Sequence, residues 1–258
     1  MIVRRSQGEI DLIRSACQIV AETLARLSEL VRPGISTGEL DRYAEQWTRE
    51  SGAEPAFKGY VVGGRVYPAT LCVSINEEVV HGMPSPRRVL ADGDIVGLDF
   101  GVVRKGYYGD GALTVGVGQT SREAHDLIRV TREALDRGIE KLRVGNRIRD
   151  VSEAIQTHAE AHGYGVVRDF VGHGIGQRLH EEPQVPNYVS RGQNPRLKEG
   201  MVLAIEPMVC AGTYEVEVLE DGWTAVTKDR RLSAHFEHSV AVTANGPEIL
   251  TSLGTEHP

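Results

Sequence analysis

The sequence is poor in cysteine, which limits its redox and metal chemistry. Cys17, Cys72 and Cys210 are widely separated, and no two of them form a CxxC pair. This spacing indicates neither a disulfide framework nor a zinc knuckle. Any bound metal would therefore be held by oxygen and nitrogen atoms.

The sequence also lacks a basic stripe and a long apolar run. Its 29 basic and 36 acidic residues are spread along the chain and leave a formal net charge of −7, unlike the clustered positive charge of nucleic-acid-binding proteins. No segment approaches the roughly 18 consecutive apolar residues of a membrane span, and the start, MIVRRSQGEI, has no secretory apolar run. We therefore expect a cytoplasmic protein with no nucleic-acid or membrane partner, and a monomer by default.

The sequence does contain two predicted pairs of helices. Capping signals at Ser6, Ser36 and Thr120 precede stretches with apolar residues at helical spacing. Four glycines separate or end these helices: Gly34, Gly52, Gly145 and Gly163. The second two follow the first two by 111 positions, which indicates an internal duplication, although amphipathic helices also resemble one another by chance.

Short β-branched runs bounded by Gly or Pro follow each helix pair. They are LCVSINE, DIVGLDFGVV and YGDGALTVGV in the first half, and MVLAIEPMV, GWTAVT and HFEHSVAV in the second. Helix pairs with antiparallel strands indicate an α/β (α+β) protein of two similar halves. No Pro-rich or Ser-rich linker divides the halves, so we interpret residues 1–258 as one domain with loose ends at 1–5 and 253–258.

Four carboxylates interrupt the predicted strands: Asp99, Asp110, Glu206 and Glu237. A two-residue turn at 104 and 105 would place Asp99 opposite Asp110, where like charges are destabilising unless a cation lies between them. Buried unpaired carboxylates are costly, so each needs a partner. The alternative to a shared metal site is four separate salt bridges to Arg or Lys.

Three histidines are further candidates for the site. His173 and His180 lie in the Gly-rich motif VGHGIGQRLHEEP, and His81 lies in VVHGMP. Imidazole is a common metal ligand and a proton carrier near neutral pH. If His173 converges with the four carboxylates, their charge of −4 matches two divalent cations. Hard oxygen ligands with one imidazole suit Mn, Fe, Co or Zn, and a two-metal site indicates hydrolysis.

Five stretches, in this order, resemble the catalytic domain of type 1 methionine aminopeptidases, a likeness that runs from the first helix to EILTSLG. They are SINEEVVHGMP, DIVGLDF with GDGALT, VVRDFVGHGIGQRLHEEPQVPNY, MVLAIEPMV and DGWTAVTKDRRLSAHFEHSVAVT. The resemblance implies the pita-bread fold, in which two pseudo-symmetric halves enclose the metals. It also implies removal of the initiator methionine from nascent peptides with a small second residue, and transient association with the ribosome.

The resemblance implies a role for each metal ligand. Asp99 would chelate one metal, and His173 with Glu206 would chelate the other. Asp110 and Glu237 would bridge both, with a water between the two cations.

The resemblance also implies catalytic and substrate-binding roles. Glu206 is similar to the family's general base, and His81 and His180 are similar to two histidines that bind the substrate amide and stabilise the developing charge. Five residues match or lie beside the family's methionine pocket: Phe57, Tyr60, Tyr67, Cys72 and Trp223.

Three features depart from the family pattern. Leu179 replaces a common aromatic residue, which implies a wider or less selective pocket, and the segment 61–66 looks longer than usual. His235 replaces a common glutamine two residues before Glu237, so we expect both on one strand face, where His235 could tune a metal ligand. The chain has neither a Cys-rich N-terminal extension nor a large type 2 insertion, which implies a compact bacterial form.

Two alternative functions stay open. Proline-specific peptidases share the five ligands but carry a sizeable domain ahead of the catalytic one, and Asp99 comes too early to leave room for it. A non-catalytic binding protein on the same fold would have lost ligands, whereas all five ligand positions are present here.

Overall fold

The computed structural model describes residues 2–253, which contain four α-helices and seventeen β-strands. The helices are α1 (Gln7–Leu30), α2 (Thr37–Glu50), α3 (Arg122–Glu140) and α4 (Ile148–Ala161). None of these four helices combines the length and the apolar content that a membrane crossing requires.

The strands are short except for one long hairpin. In the first half they are β1 (Glu54–Pro55), β2 (Val61–Val62), β3 (Arg65–Val66), β4 (Leu71–Ile75), β5 (Glu78–Val80), β6 (Ile95–Arg104) and β7 (Tyr107–Gly116). In the second half they are β8 (Gly165–Val166), β9 (Gly172–Gly174), β10 (Glu181–Val185), β11 (Val202–Ile205), β12 (Met208–Cys210), β13 (Val216–Val218), β14 (Ala225–Thr227), β15 (Ser233–His235), β16 (Glu237–Thr243) and β17 (Gly246–Ile249).

Side chains that accept hydrogen bonds from the first turn set where the helices begin. The predicted capping boxes at Ser6 and Ser36 are confirmed, since each serine and the glutamate three residues later bond reciprocally. The prediction that Thr120 caps α3 is wrong by one residue. Ser121 takes this place, and its hydroxyl accepts from the backbone N–H of Ala124 at 3.1 Å.

The two halves repeat the same backbone hydrogen bonds, as the predicted duplication requires. The N–H of Gly34 donates to the carbonyl of Leu90, and the N–H of Gly145 donates to that of Leu197. Both glycines have positive φ, 90° and 97°, a conformation that costs glycine little. The α1–α2 and α3–α4 pairs are therefore equivalent units, and the pseudo-symmetric fold is confirmed.

A nine-stranded sheet carries the two halves across the centre of the fold. Its main order is β1-β6-β7-β16-β11-β9-β10, with β4 beside β6 and β17 beside β16. All of its pairings are antiparallel. The halves join where β7 pairs with β16, through Ala112 opposite Glu237 and Gly111 opposite His238. This junction places acidic side chains of both halves close together.

The predicted register of the β6–β7 hairpin is wrong by one position on each strand. Lys105 and Gly106 form the turn, with φ of 51° and 77°, because a two-residue turn of this type needs positive φ at both positions. Asp99 therefore faces Ala112, and Asp110 faces Gly101. Because facing residues and those two apart along a strand share a face, Asp99 and Asp110 still point to the same side.

Two predicted strands are interrupted beside the site. Pro207, which has no N–H to donate to a ladder, separates β11 from β12, so Glu206 lies just beyond the end of β11. Phe236 separates β15 from β16, so His235 and Glu237 lie on different strands in different sheets, and the prediction of a shared strand face is wrong. His173 of the Gly-rich motif lies in the short strand β9.

The expected loose end at residues 1–5 is wrong at Arg5. The Arg5 side chain is buried, and its guanidinium donates to both carboxylate oxygens of Glu181 at 2.5 and 2.7 Å. Its backbone N–H also donates to the carbonyl of Gly200. Met1 and residues 254–258 of that prediction lie outside the described residues.

Candidate metal centre

A cavity of about 170 Å³ brings together side chains from both halves of the fold. It is lined by all twelve residues that the sequence singled out as ligands, catalytic groups or pocket residues: Phe57, Tyr60, Tyr67, Cys72, His81, Asp99, Asp110, His173, His180, Glu206, Trp223 and Glu237. The sequence therefore predicted this convergence, whereas the role of each residue stays a prediction.

The four carboxylates meet in this cavity without a basic partner. Within residues 2–253 none of them forms an ion pair with lysine or arginine, so the alternative of four separate salt bridges is wrong. Oε1 of Glu206 lies 3.4 Å from Nε2 of His173. Oε1 of Glu237 is buried and has no hydrogen-bond partner. A cation is the partner that such a group of acids lacks.

Three ligand atoms already have the spacing of a metal site. One atom from each of Asp110, His173 and Glu237 lies within 4.8 Å of the other two, and all three residues are buried. Asp99 and Glu206 line the same cavity. The donor set of carboxylate oxygens with one imidazole suits Mn, Fe, Co or Zn. These residues therefore fit divalent metal ions.

The pKa values of the four carboxyl groups are raised because the groups are buried and close to one another. Burial raises the pKa of Asp99 to about 7. Burial also raises the pKa of Asp110, Glu206 and Glu237 well above the ordinary range, and the charges of neighbouring carboxylates raise it further. Without a cation, the group holds protons at pH values where exposed acids are ionised.

Glycines beside the ligands let the backbone approach closely. A Cβ at Gly101 would lie 3.1 Å from Oδ1 of Asp110 and 2.8 Å from the Phe57 ring. On each side of His173, a Cβ at Gly172 or Gly174 would lie 2.4 Å from a backbone oxygen of the adjacent strand. The Gly-rich motif thus allows β9 to fit between β10 and β11 with the imidazole directed at the acids.

Hydrogen bonds orient two imidazoles of the site. Nδ1 of His173 lies 2.9 Å from the Gly174 carbonyl, to which it can only donate, so Nε2 carries the lone pair for a metal. Nδ1 of His180 lies 2.6 Å from the hydroxyl of Tyr60. With Tyr60 donating, the proton of His180 lies on Nε2. Burial lowers the pKa of both histidines, to about 3 for His173, which favours neutral rings.

His81 is held in an unusual backbone conformation at the wall of the cavity. Its φ is 62°, which is uncommon for a residue other than glycine. Its ring meets Phe170 edge to face at 5.4 Å between centroids. Burial lowers its pKa to about 4, so the imidazole is neutral and can donate one N–H.

The apolar end of the cavity consists of aromatic and sulfur groups. Tyr67 and Trp223 pack edge to face with ring centroids 5.2 Å apart. The Tyr67 hydroxyl donates to the carbonyls of Leu71 and Gly82, at 3.2 and 3.1 Å, which leaves its ring as the lining surface. Cys72 is buried and faces Asp99 across β4 and β6. Such groups suit a polarizable thioether.

Several lining residues were not singled out as pocket residues by the sequence: Val62, Val80, Phe170, Val171 and Met208. Phe170 precedes the Gly-rich motif directly, so this proximity was the available signal. Leu179 and His235, noted only as departures, also line the cavity. Nε2 of His235 is buried without a hydrogen-bond partner, and burial lowers its pKa to about 3.

A second group of ligand atoms lies apart from the cavity, on α3 and α4. Glu133, His158 and His162 each offer one atom within 4.8 Å of the others, but His162 is exposed. Glu133 is already paired with Arg129 at 2.9 Å. Measurements of metal binding need to separate this group from the buried one.

Comparisons with known proteins agree with this geometry. The profile of metallopeptidase family M24 matches residues 11–244. A methionine aminopeptidase of Clostridium perfringens is 54% identical over 253 residues, which cover 98% of this chain and 100% of the relative. The crystal structure of methionine aminopeptidase from Thermotoga maritima is 45% identical, with a TM-score of 0.94 over 98% of this chain and 100% of the other.

A more distant structure shows how widely the fold is shared. The prolidase from Pyrococcus horikoshii has a TM-score of 0.78 at 24% identity, and the match covers 98% of this chain but 64% of the prolidase. This likeness concerns the fold alone.

Proposed function

The chain belongs to metallopeptidase family M24, and from that premise we propose that it is a methionyl aminopeptidase, which removes the initiator methionine of peptides with a small second residue. One observation carries the proposal in this chain. Four acids and His173 line one cavity with no lysine or arginine paired to the acids, beside an apolar end of aromatic and sulfur groups.

We propose that five residues hold two divalent cations. Asp99 would bind one cation, His173 and Glu206 the other, and Asp110 and Glu237 both. The unpartnered Oε1 of Glu237 and the neutral imidazole of His173 support this assignment. When bound, Co, Mn, Fe or Zn ions would polarise the scissile carbonyl and lower the pKa of the attacking water.

Glu206 is proposed as the general base. It lies just beyond the end of β11, and Pro207 separates it from the next strand, β12. Its side chain lines the cavity. A carboxylate within reach of a metal-activated water can accept its proton. Glu206 would take the proton of the water and pass it to the leaving amine.

His81 and His180 are proposed to bind the substrate amide and the oxyanion that develops from it. Both imidazoles line the cavity, and burial lowers the pKa of both. With Tyr60 donating to its Nδ1, His180 carries its proton on Nε2, which can then donate one directed N–H to the substrate.

The shape of the cavity supports an exopeptidase. Tyr67, Cys72, Asp110 and Glu237 are buried, whereas His180 is exposed. A free amine next to the acids, with a methionine side chain against Tyr67 and Cys72, leaves the rest of the peptide to pass out by His180. The neutral amine can coordinate a metal, so the N-terminal residue is the one released.

The first test is the release of methionine from Met-Ala-Ser by metal-stripped protein supplied with Co, Mn, Fe or Zn, with Xaa-Pro peptides in parallel. We expect metal-dependent release of methionine and little cleavage of Xaa-Pro peptides. Preference for Xaa-Pro would overturn the proposed substrate. No release of methionine with any of the four metals would favour a non-catalytic binding protein.

The metal assignment has a separate test by calorimetric titration. We expect Asp110→Ala to lose most high-affinity binding, because a ligand shared by both cations is removed. The titration is repeated in a His162→Ala background, which removes the exposed group on α3 and α4 as a source of weak binding. Unchanged affinity in Asp110→Ala would remove Asp110 from the ligand set.

The setting of the protein is also proposed. We infer a single domain, residues 1–258, that acts as a monomer in the cytoplasm on nascent chains and associates transiently with the ribosome. Cys17, Cys72 and Cys210 are buried and free, which suits a reducing compartment. Sedimentation of the purified protein would test whether it is a monomer. Sedimentation of cell extracts would test whether it associates with ribosomes.

A further inference from the structure

The hairpin β2–β3 lies at the mouth of the cavity and exposes three valines. Val61, Val62 and Val66 are 58%, 53% and 57% exposed. Gly63 and Gly64 form its two-residue turn, with φ of 57° and 82°. An isolated two-stranded hairpin has little stability of its own. The exposed valines of this hairpin do not stabilise it by burial, which indicates that they have another role.

The base of the hairpin is fixed to the methionine pocket. The N–H of Tyr67 donates to the Tyr60 carbonyl at 2.8 Å, and the N–H of Gly59 donates to the Tyr67 carbonyl at 2.9 Å. Tyr60 and Tyr67 both line the cavity. The hairpin therefore extends directly from two pocket residues.

The two faces of the hairpin differ. Val62 pairs with Arg65, and Val61 pairs with Val66, so each pair shares one face. Of these four residues only Val62 lines the cavity. The Arg65 guanidinium occupies the space that a Cβ of Gly222 would need, next to the pocket residue Trp223. The face with Val62 and Arg65 is thus turned towards the cavity, and the face with Val61 and Val66 is turned away.

We propose that the face of Val62 and Arg65 is a binding subsite for the substrate peptide beyond its second residue. This inference rests on the proposed function, in which methionine fills the buried end and the chain leaves past His180. Val62 and His180 line the same cavity. Arg65 is exposed and forms no ion pair within residues 2–253, so it can donate to peptide carbonyls or attract an acidic side chain.

The test compares two substrates that share their scissile bond, Met-Ala-amide and Met-Ala-Val-Ser-amide. The readout is the ratio of kcat/KM for the long substrate to that for the short one. In Val62→Ser we expect this ratio to fall about five-fold, because the apolar contact with the third residue is lost. Val61→Ser is the matched control, since it has the same chemistry and similar exposure on the opposite face. We expect it to keep the wild-type ratio.

A second arm tests the charge of Arg65. Substrates with Asp or Lys in place of Val at the third position are compared in the wild type and in Arg65→Gln. We expect the wild type to favour Asp about three-fold at low salt, and Arg65→Gln to lose this preference.

The outcomes separate the two hypotheses. Wild-type protein that cleaves both substrates, with the same ratio in Val62→Ser as in Val61→Ser, would overturn the subsite and leave the proposed function standing. No release of methionine from either substrate by metal-loaded wild type would overturn the proposed function and the subsite with it.

Discussion

Glu206 is proposed both to hold a cation and to act as the general base, and Glu206→Gln tests the second role. Glu206→Gln keeps the size of the side chain and one carbonyl oxygen, but it removes the group that accepts a proton. We expect kcat to fall by about 100-fold or more, with the fold retained. Steady-state kinetics and metal content measured on the same sample check this. Turnover near wild type would remove Glu206 from the role of base.

Tyr60 acts through another residue, so we expect a smaller effect from its replacement. Its hydroxyl lies 2.6 Å from Nδ1 of His180, and its ring meets the imidazole edge to face. Tyr60→Phe keeps the ring and removes the hydrogen bond, which is worth about 1 kcal/mol. We expect kcat to fall about five-fold with little change in KM. A rise in KM alone would indicate a role in methionine binding instead.

At this scale the sequence predicted which residues line the cavity better than it predicted their contacts. Asp99 and Glu237 were found because acids in apolar runs conflict with burial, a conflict that is visible in the letters alone. The bond between Tyr60 and His180 joins residues 120 positions apart, and no local pattern reports such a distance. The missing partners of Glu237 and His235 likewise emerge only from the folded packing.

A buried ion pair ties the N-terminal segment to the loop that carries His180. Arg5 donates to Glu181, and Glu181 also accepts the backbone N–H groups of Gln177 and Arg178 at 2.9 and 3.1 Å. Both charged side chains are about 5% exposed. We expect Arg5→Ala to lower the free energy of unfolding by about 3 kcal/mol, because it leaves a buried carboxylate unpaired.

The control for that loss is Arg4→Ala. Arg4 is exposed and makes one hydrogen bond, to the carbonyl of Glu199, so we expect a change within about 0.5 kcal/mol. Chemical denaturation measures both variants. Equal stability of the two variants would show that the Arg5–Glu181 pair contributes nothing. Because the pair holds the loop that carries His180, we also expect Arg5→Ala to lower kcat/KM.

Element boundaries followed the sequence at the capping boxes of Ser6 and Ser36, and departed from it where Pro207 or a positive φ decided. The capping box at Ser6 located the start of α1. The β6–β7 turn was misplaced because Gly106, the signal for positive φ, was not weighed against the polar pair before it. Arg5 was expected to be loose because it lies near the chain end, and its partner, Glu181, is 176 positions away, where no local pattern indicates it.

The whole molecule depends on its symmetry to create one shared acidic centre. Each half contributes two carboxylates, Asp99 and Asp110 from the first and Glu206 and Glu237 from the second, and the β7–β16 pairing brings them together. Repulsion among these groups opposes folding until a cation neutralises it. Metal binding and folding should therefore be coupled across both halves.

This coupling gives the metal-free protein a specific pH dependence. The raised pKa of Asp99, about 7 against an ordinary 3.8, means that its stabilising contribution is present at low pH and is lost as pH rises through 7. Four histidines act in the opposite direction, because their lowered pKa values favour the folded state as pH rises towards 6.5: His81, His173, His235 and His238. Their contribution ends once the unfolded chain also carries neutral imidazoles.

Above pH 6.5 the contribution of these histidines no longer changes, whereas the carboxylates of the centre continue to lose protons. We expect the Tm of chelator-treated protein to fall between pH 6.5 and 8.5, while that of Mn-loaded protein changes little, so that the gap widens with pH. Calorimetric scans of both samples at matched ionic strength measure this gap. A constant gap would mean that the acids are ionised without metal, and that the cation does not supply their missing partner.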